Sequence, residues 1–345
     1  MPLPKFPTKH KVYKTKQGLQ LAGDSRELLA LLPAESVDLI MTSPPFALLR
    51  KKAYGNKDQS EYVDWLCEFG RVALPALKET GSFVVDLGGS YEKGKPVRSL
   101  YNFRVLLKFC DELGYRFAED FYWFNPAKLP SPIEWVNRRK IRAKDSVNTV
   151  WWFSKGDFPK SDITQVLTPY SDRMKTLLKD PDKFYKAAKR PSGHDISKGF
   201  GEKRDGALPS NLLQIPNTDS NSHYMRVLKS LEHDRHPARF PADLPRFFIK
   251  MLTEPDDLVV DIFSGSNTTG LVADRLGRNW ISMDESQEYA TLSSVRFMET
   301  LDLEKIEANL KLIESGKLLT LNSDKAVDLK PKTKKKMKQV ALFEG

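Results

Sequence analysis

The sequence is poor in several things that would settle a function class at once. Only two cysteines occur in 345 residues, Cys67 and Cys110, far apart and in no C-x-x-C pairing. That argues against a zinc cluster or a disulfide scaffold and fits a reducing cytoplasm. No apolar run is longer than a strand, so no membrane span is expected. The N-terminal MPLPKFPTKHKVYKTK lacks the apolar core of a signal peptide. No internal repeat is evident. His194, His223 and His233 are neither paired nor spaced as metal ligands, so no metal is expected.

What is present describes a folded chain. Hydrophobic residues make up 40% and charged residues 29%, the balance of a soluble globular protein. The length allows one large domain or two modest ones with a sizeable core. The formal charge of +10 is compatible with a polyanionic partner, nucleic acid first. It is equally compatible with a solvated surface and a basic tail, because KTKKKMK (332–338) alone holds five lysines.

Runs rich in β-branched and aromatic residues at 37–42, 82–87, 121–125, 148–153, 258–263 and 280–283 predict strands. Helical patterns lie between several of them: SRELLALL, EYVDWLCEFGRVALPALK, RSLYNFRVLLKFCDEL and TTGLVADRLG. The alternation predicts an α/β fold, a doubly wound and mostly parallel sheet that binds ligands at the carboxyl ends of its strands. From about Lys155 to His233 the pattern lapses into Pro, Gly, Ser, Asn, Lys and Arg. A structureless loop of that length is unexpected inside a compact domain, so 155–233 reads as a small inserted second domain. LEKIEANLKLIESGK, from Leu303, reads as a helix, and the lysine-rich tail beyond it as disordered.

Two stretches carry chemistry. TSPPFALLR (42–50) follows the apolar SVDLIM. Its two prolines cannot donate to a ladder and fix φ, so the strand must end in a stiff turn. LVVDIFSGSNTTGLVADRLG (258–277) is a strand, a tight glycine turn and a helix. Gly265 lets the backbone bend and approach a ligand. Ser266, Thr268 and Thr269 are suited to cap the helix and leave N–H groups for an anion. It is no P-loop, since Leu271 and Val272 stand where Lys and Ser/Thr are required. It is not the full G-x-G-x-x-G fingerprint either, because Asn267 replaces the second glycine, although Asn tolerates positive φ. NWISMDES then ends its strand with Asp284, where α/β folds grip a ribose diol. An adenosine-containing ligand with a small anion and no phosphate fits, such as S-adenosylmethionine. An ordinary strand–turn–helix without ligand is the alternative.

Together, TSPPF (42–46) and DIFSGSNTTG (261–270) resemble the two signature motifs of DNA amino-methyltransferases. The resemblance is to the N4-cytosine enzymes of bacterial restriction–modification systems. The catalytic motif precedes the cofactor motif, as in the permuted β-class. GDSRELLALLPAESVDLI (23–40), HPARFPADLPRFFIKML (236–252) and residues 190–224 extend the likeness over about 20–295. It implies a Rossmann-like fold dependent on S-adenosylmethionine and acting on double-stranded DNA. Ser43, Pro44, Pro45 and Phe46 would hold the target base. Asp261, Phe263, Gly265 and Ser266 would line the cofactor's methionine side, and Thr42, Asn267 and Thr268 would also belong to the cofactor site. Asp284 would bind the ribose, Asp24 would lie near the adenine, and His236, Pro237 and Arg239 would close over the methionyl end. The family commonly has proline at Ile262 and glycine at Asn267.

Serine before the prolines is typical of cytosine-N4 enzymes, whereas adenine-N6 relatives usually carry Asp or Asn there. A non-catalytic DNA-binding relative is the other alternative. Cytosine-C5 chemistry needs a cysteine after proline, but Cys67 follows Leu66 and Cys110 follows Phe109, and both read as buried helix residues. Arg50, Lys51 and Lys52 are candidate phosphate contacts or else a solvated face. Trp123, Phe124 and Asn125 would either wall the base pocket or pack the core. The resemblance divides the chain into a catalytic part (1–154), a target-recognition region (155–233), a cofactor part (234–302) and a helix with a basic tail (303–345). The final KQVALFEG is similar to peptides that dock into bacterial sliding clamps, through Gln339, Leu342 and Phe343. The expected location is the bacterial cytoplasm, at the nucleoid during action.

Overall fold

The protein was analysed as a computed structural model, which describes residues 3–47, 59–184, 202–218, 222–233 and 239–322. Arg50, Lys51, Lys52, His236, Pro237, Gln339, Leu342 and Phe343 lie outside the described residues. The first half of the chain runs β1 (Lys11–Lys14), β2 (Gly18–Ala22), α1 (Ser25–Leu29), β3 (Val37–Thr42), α2 (Gln59–Ala76) and β4 (Leu77–Gly88). It continues through α3 (Tyr101–Asp111), β5 (Arg116–Phe124) and β6 (Val147–Ser154). Next come α4 (Asp172–Lys179), α5 (Pro181–Phe184), β7 (Leu212–Gln214), α6 (His223–Ser230) and α7 (Asp243–Leu252). The last elements are β8 (Leu258–Asp261), α8 (Thr268–Arg275), β9 (Asn279–Asp284), α9 (Gln287–Leu292), α10 (Leu303–Glu314) and β10 (Leu319–Thr320).

All ten strands form one sheet in the order β10-β1-β2-β9-β8-β3-β4-β6-β5-β7. β2, β9, β8, β3 and β4 are mutually parallel, and β6 runs antiparallel between β4 and β5. All six predicted strands are present, β3 with the expected ends and the others with shifted ones. β1, β2, β7 and β10 were not foreseen, because they are short edge or near-edge strands without a long apolar run. β7 also corrects the picture of a wholly separate inserted domain: Leu212–Gln214 joins the main sheet beside β5. The 155–233 segment thus returns to the sheet before the chain reaches α7.

Inner strands read as continuous apolar runs because both faces are covered. Leu39 and Met41 face one core with α7 and α10, while Ile40 between them faces the other with α2 and α3. That alternation is the two-residue period of a strand; Val37 joins the second core only because the register shifts between it and Leu39. At the amino edge, buried Asp38 accepts from Lys78 Nζ (2.7 Å) and from the Leu258 N–H (2.9 Å), tying three neighbouring strands together. The chain leaves β3 toward β4 on one side and β8 toward β9 on the other. The carboxyl ends of β3 and β8 therefore open the crevice in which such sheets bind ligands.

Candidate active site

A cleft of about 1020 Å³ runs along that edge and is lined by residues from both signature stretches. Its floor is set by how the strands end. Thr42, the last residue of β3, is fully buried, and its Oγ1 donates to Asp261 Oδ1 (2.7 Å) across the crevice. The prolines then turn the chain outward, so Ser43, Pro44, Pro45 and Phe46 line the cleft. Phe46 rests on Gly88, where a Cβ would come within 2.3 Å of its ring. Only glycine at the end of β4 leaves that ring its place.

Ser43 Oγ donates to Asp86 Oδ2 (3.0 Å), and Asn148 Nδ2 donates to Asp86 Oδ1 (3.0 Å). Asp86 is 1% exposed. Burial pushes its carboxyl up to about 6, against the lowering pull of the Asn148 and Ser43 hydrogen bonds and of the Lys128 charge. Trp123, Asn125 and Lys128, at and beyond the end of β5, complete this side of the cleft. Trp123 and Asn125 therefore wall it as well as packing, whereas Phe124 does not line it. The Asn125 amide oxygen accepts from two backbone N–H groups, of Ala127 and Asn217 (both 3.1 Å).

The other end is built by the glycine turn. Gly265 has φ +49°, and its N–H donates to Asp284 Oδ2 (2.6 Å) while Ser286 N–H donates to Oδ1 (2.9 Å). Enclosure raises the Asp284 carboxyl to about 6. Gly265, Ser266 and Thr268 line the cleft, with Phe263 packed against Phe69 and Trp65 at ring separations of 4.7 and 5.4 Å. Asp24 caps α1 at the mouth, where the Arg26 guanidinium holds its carboxyl below the usual range. Arg239 also lines the cleft.

Three residues expected to touch a ligand do not line the cleft. Thr42 and Asp261 lie beneath it, sealed between β3 and β8. Burial lifts the Asp261 carboxyl to about 6, against the lowering pull of the Thr269 and Thr42 hydroxyls and the Phe263 N–H. Asn267 is 0% exposed and adopts φ +54°, so the left-handed turn survives without the usual glycine. Its side chain explains why. Oδ1 accepts from Gly270 N–H and Ser282 Oγ, and Nδ2 donates to Tyr13 Oη. Cys67 is buried in α2 as expected, whereas Cys110 is only half-buried in α3.

Sequence reasoning missed Asp86, Asn148 and Arg296. The first was legible in principle, since FVVDLGG ends an apolar run with an acid just as ISMD does. Arg296 was not. It follows α9, yet its guanidinium reaches the Ser266 carbonyl (2.6 Å) and Oγ (3.0 Å) from below the turn.

A switch-point cleft with a serine–carboxylate pair at one end and a glycine turn with an acid-ended strand at the other defines the class. This is a Rossmann-like α/β fold of the methyltransferase type. The DNA methylase family model matches residues 37–295, and the chain belongs to that family. It is 60% identical over 316 residues to the type II methyltransferase M.PvuII of Proteus hauseri, covering 91% of this chain and 94% of that protein. Type II methyltransferase M.BglI of Bacillus subtilis is 34% identical over 339 residues, covering 89% and 93%. Among solved structures, PvuII DNA methyltransferase (cytosine-N4-specific) aligns with a TM-score of 0.75 at 52% identity, covering 91% of this chain and 99% of that one.

Proposed function

We propose that this chain transfers a methyl group from S-adenosylmethionine to the N4 amine of a cytosine flipped out of double-stranded DNA. The product would protect a short site from a partner restriction endonuclease in a bacterial cytoplasm. The observation that carries this reading is the Ser43–Asp86 hydrogen bond, set in one cleft with the Gly265–Asp284 turn. The likeness to an N4-cytosine enzyme over nearly the whole chain supports the choice of base.

The donor set at the glycine turn fits the cofactor. Asp284 has lone pairs left for a ribose diol after accepting from Gly265 and Ser286. Thr268 opens α8, whose first N–H groups suit a carboxylate. Phe263 offers the cofactor an apolar wall beside the glycine turn. When bound, S-adenosylmethionine supplies an electrophilic methyl group on a sulfonium.

The remaining chemistry belongs to the chain. The cytosine amine is a weak nucleophile because its lone pair is delocalised into the ring. Ser43 donates its proton to Asp86, so the Oγ lone pairs are free to accept one N4–H, and the Pro44 carbonyl is suited to accept the other. These preset acceptors favour a pyramidal nitrogen and stabilise the positive charge that develops on it. As the N4–CH₃ bond forms, the amine becomes acidic. Its proton can pass to Ser43 Oγ while the Ser43 proton passes to Asp86, a carboxyl poised near 6.

Flipping costs on the order of a few kcal/mol, and one stacking contact returns about 1–3 kcal/mol. Phe46, held by Gly88, is a candidate for that contact. Residues 155–233 serve here as the target-recognition region, and the clamp-like tail is tested by binding of a labelled 332–345 peptide to a purified clamp. The central experiment incubates protein, DNA and S-adenosylmethionine, digests the DNA and identifies the methylated nucleoside by mass spectrometry. N4-methylcytosine is expected. N6-methyladenine would overturn the base assignment, and no product the whole reading.

A further inference from the structure

The segment between β5 and β6, residues 126–146, matches no predicted strand, helix or family motif in the sequence. In the structure it borders the base-holding end of the cleft, where Lys128, next to Asn125, lines the wall. Residues 126–144 carry six cations, Lys128, Arg138, Arg139, Lys140, Arg142 and Lys144, against one acid, Glu134. Over 126–144 the net charge is +5, half the +10 of the chain; Asp145, which follows, is paired with Arg98 of the loop after β4 (3.2 Å).

The hydrogen bonds show why that charge is not cancelled. Lys144 Nζ donates to the carbonyls of Pro126 and Lys128 (both 3.1 Å), and Arg142 donates to the Pro96 carbonyl (2.8 and 3.1 Å). Lys144 thus ties the two ends of the segment together and Arg142 ties it to the loop after β4, but a carbonyl partner removes no net charge. Glu134 pairs with both Arg138 (3.3 Å) and Arg139 (2.9 Å), so one carboxylate is shared by two guanidinium groups. Both arginines are exposed, at 75% and 61%. Exposed pairs of this kind are worth about 0–1 kcal/mol, so a phosphate can displace them at little cost. Lys140 follows directly, exposed and with positive φ. Acids are sparse here: Glu134 and the Arg98-paired Asp145 stand against six cations.

We infer that residues 126–144 form a pinned cationic edge that grips the DNA backbone beside the flipped base, with Arg138, Arg139 and Lys140 as phosphate contacts. The inference rests on the reading of the chain as an enzyme of duplex DNA. It also places backbone contacts apart from Arg50–Lys52 and from the 155–233 segment, where the sequence directed attention.

The test is the salt dependence of binding to a mixed-sequence 30-base-pair duplex, followed by fluorescence anisotropy from 50 to 200 mM KCl. Each phosphate contact contributes a slope of about 0.9 in log Kd against log salt. The R138A/R139A/K140A variant is expected to lower the slope by about 2–3 and to weaken binding at least tenfold at 50 mM. A control, K305A/K311A/K317A, removes the same charge from α10 and its end, near the opposite edge of the sheet. It is expected to change the slope by less than half a unit. Equal slopes for the first variant and wild type would overturn the inference, as would equal losses in the two variants. A wild-type protein that neither binds nor methylates DNA would instead sink the functional reading itself.

Discussion

Replacing Asp86 by asparagine should make the protein more stable and much less active. The substitution keeps shape and volume. Its amide oxygen can still accept from Asn148 Nδ2, but its amide nitrogen must then face Ser43 Oγ. Ser43 has to accept that bond and turn its own proton into the cleft, where the amine needs an acceptor. One charge-assisted hydrogen bond, about 1.5–3 kcal/mol, is lost, and removal of a preorganised polar partner commonly costs 10²- to 10³-fold. A fall of about 100-fold in turnover is expected.

Stability should move the other way. Folding raises the Asp86 carboxyl from 3.8 to about 6, so its ionised form costs the native state on the order of 3 kcal/mol at pH 8. The native state binds the extra proton between about pH 4 and 6. The cost is therefore absent below that window and complete above it. Asp86→Asn is neutral throughout, so the urea midpoint at pH 8 should rise and its excess over wild type should vanish near pH 4. Single-turnover incorporation of labelled methyl groups and urea melts at both pH values measure the two halves. Wild-type turnover, or a lower midpoint at pH 8, would refute the assignment of Asp86.

Ser43→Ala should lose about 100-fold in methylation while calorimetric affinity for S-adenosylmethionine stays within about threefold, since Ser43 lies at the base end. Asp284→Ala should do the reverse and weaken cofactor affinity at least tenfold, read by the same titration, because the ribose grip and the Gly265 anchor are lost together. Wild-type turnover should fall as pH drops through about 6, where Asp86 protonates and ceases to draw the Ser43 proton; a rate flat to pH 5 would contradict that. Asn267→Ala should cost about 3–5 kcal/mol in a urea melt. It combines a lost cap, an unpaired Ser282 hydroxyl, a Tyr13 hydroxyl left with Ser293 alone and the left-handed φ. Asn267→Gly should cost about 1 kcal/mol less, because glycine carries no penalty at that φ.

The sequence by itself determined the strand–helix alternation, the two turns that carry chemistry and their order along the chain. These are local properties. Proline ends β3 wherever it sits, Gly265 accepts positive φ without help, and apolar runs such as SVDLIM report a strand covered on both faces. Only the tertiary structure decided which side of the floor each residue took. Thr42 and Ser43 are neighbours, yet one seals the sheet against Asp261 and the other faces the cleft beside Asp86, because β3 ends between them. Asp86 and Ser43 are 43 positions apart, Arg296 and Ser266 are 30 apart, and no periodicity encodes such pairs. They meet because parallel strands must align their carboxyl ends to pair, and the acids that end those strands are thereby gathered along one edge.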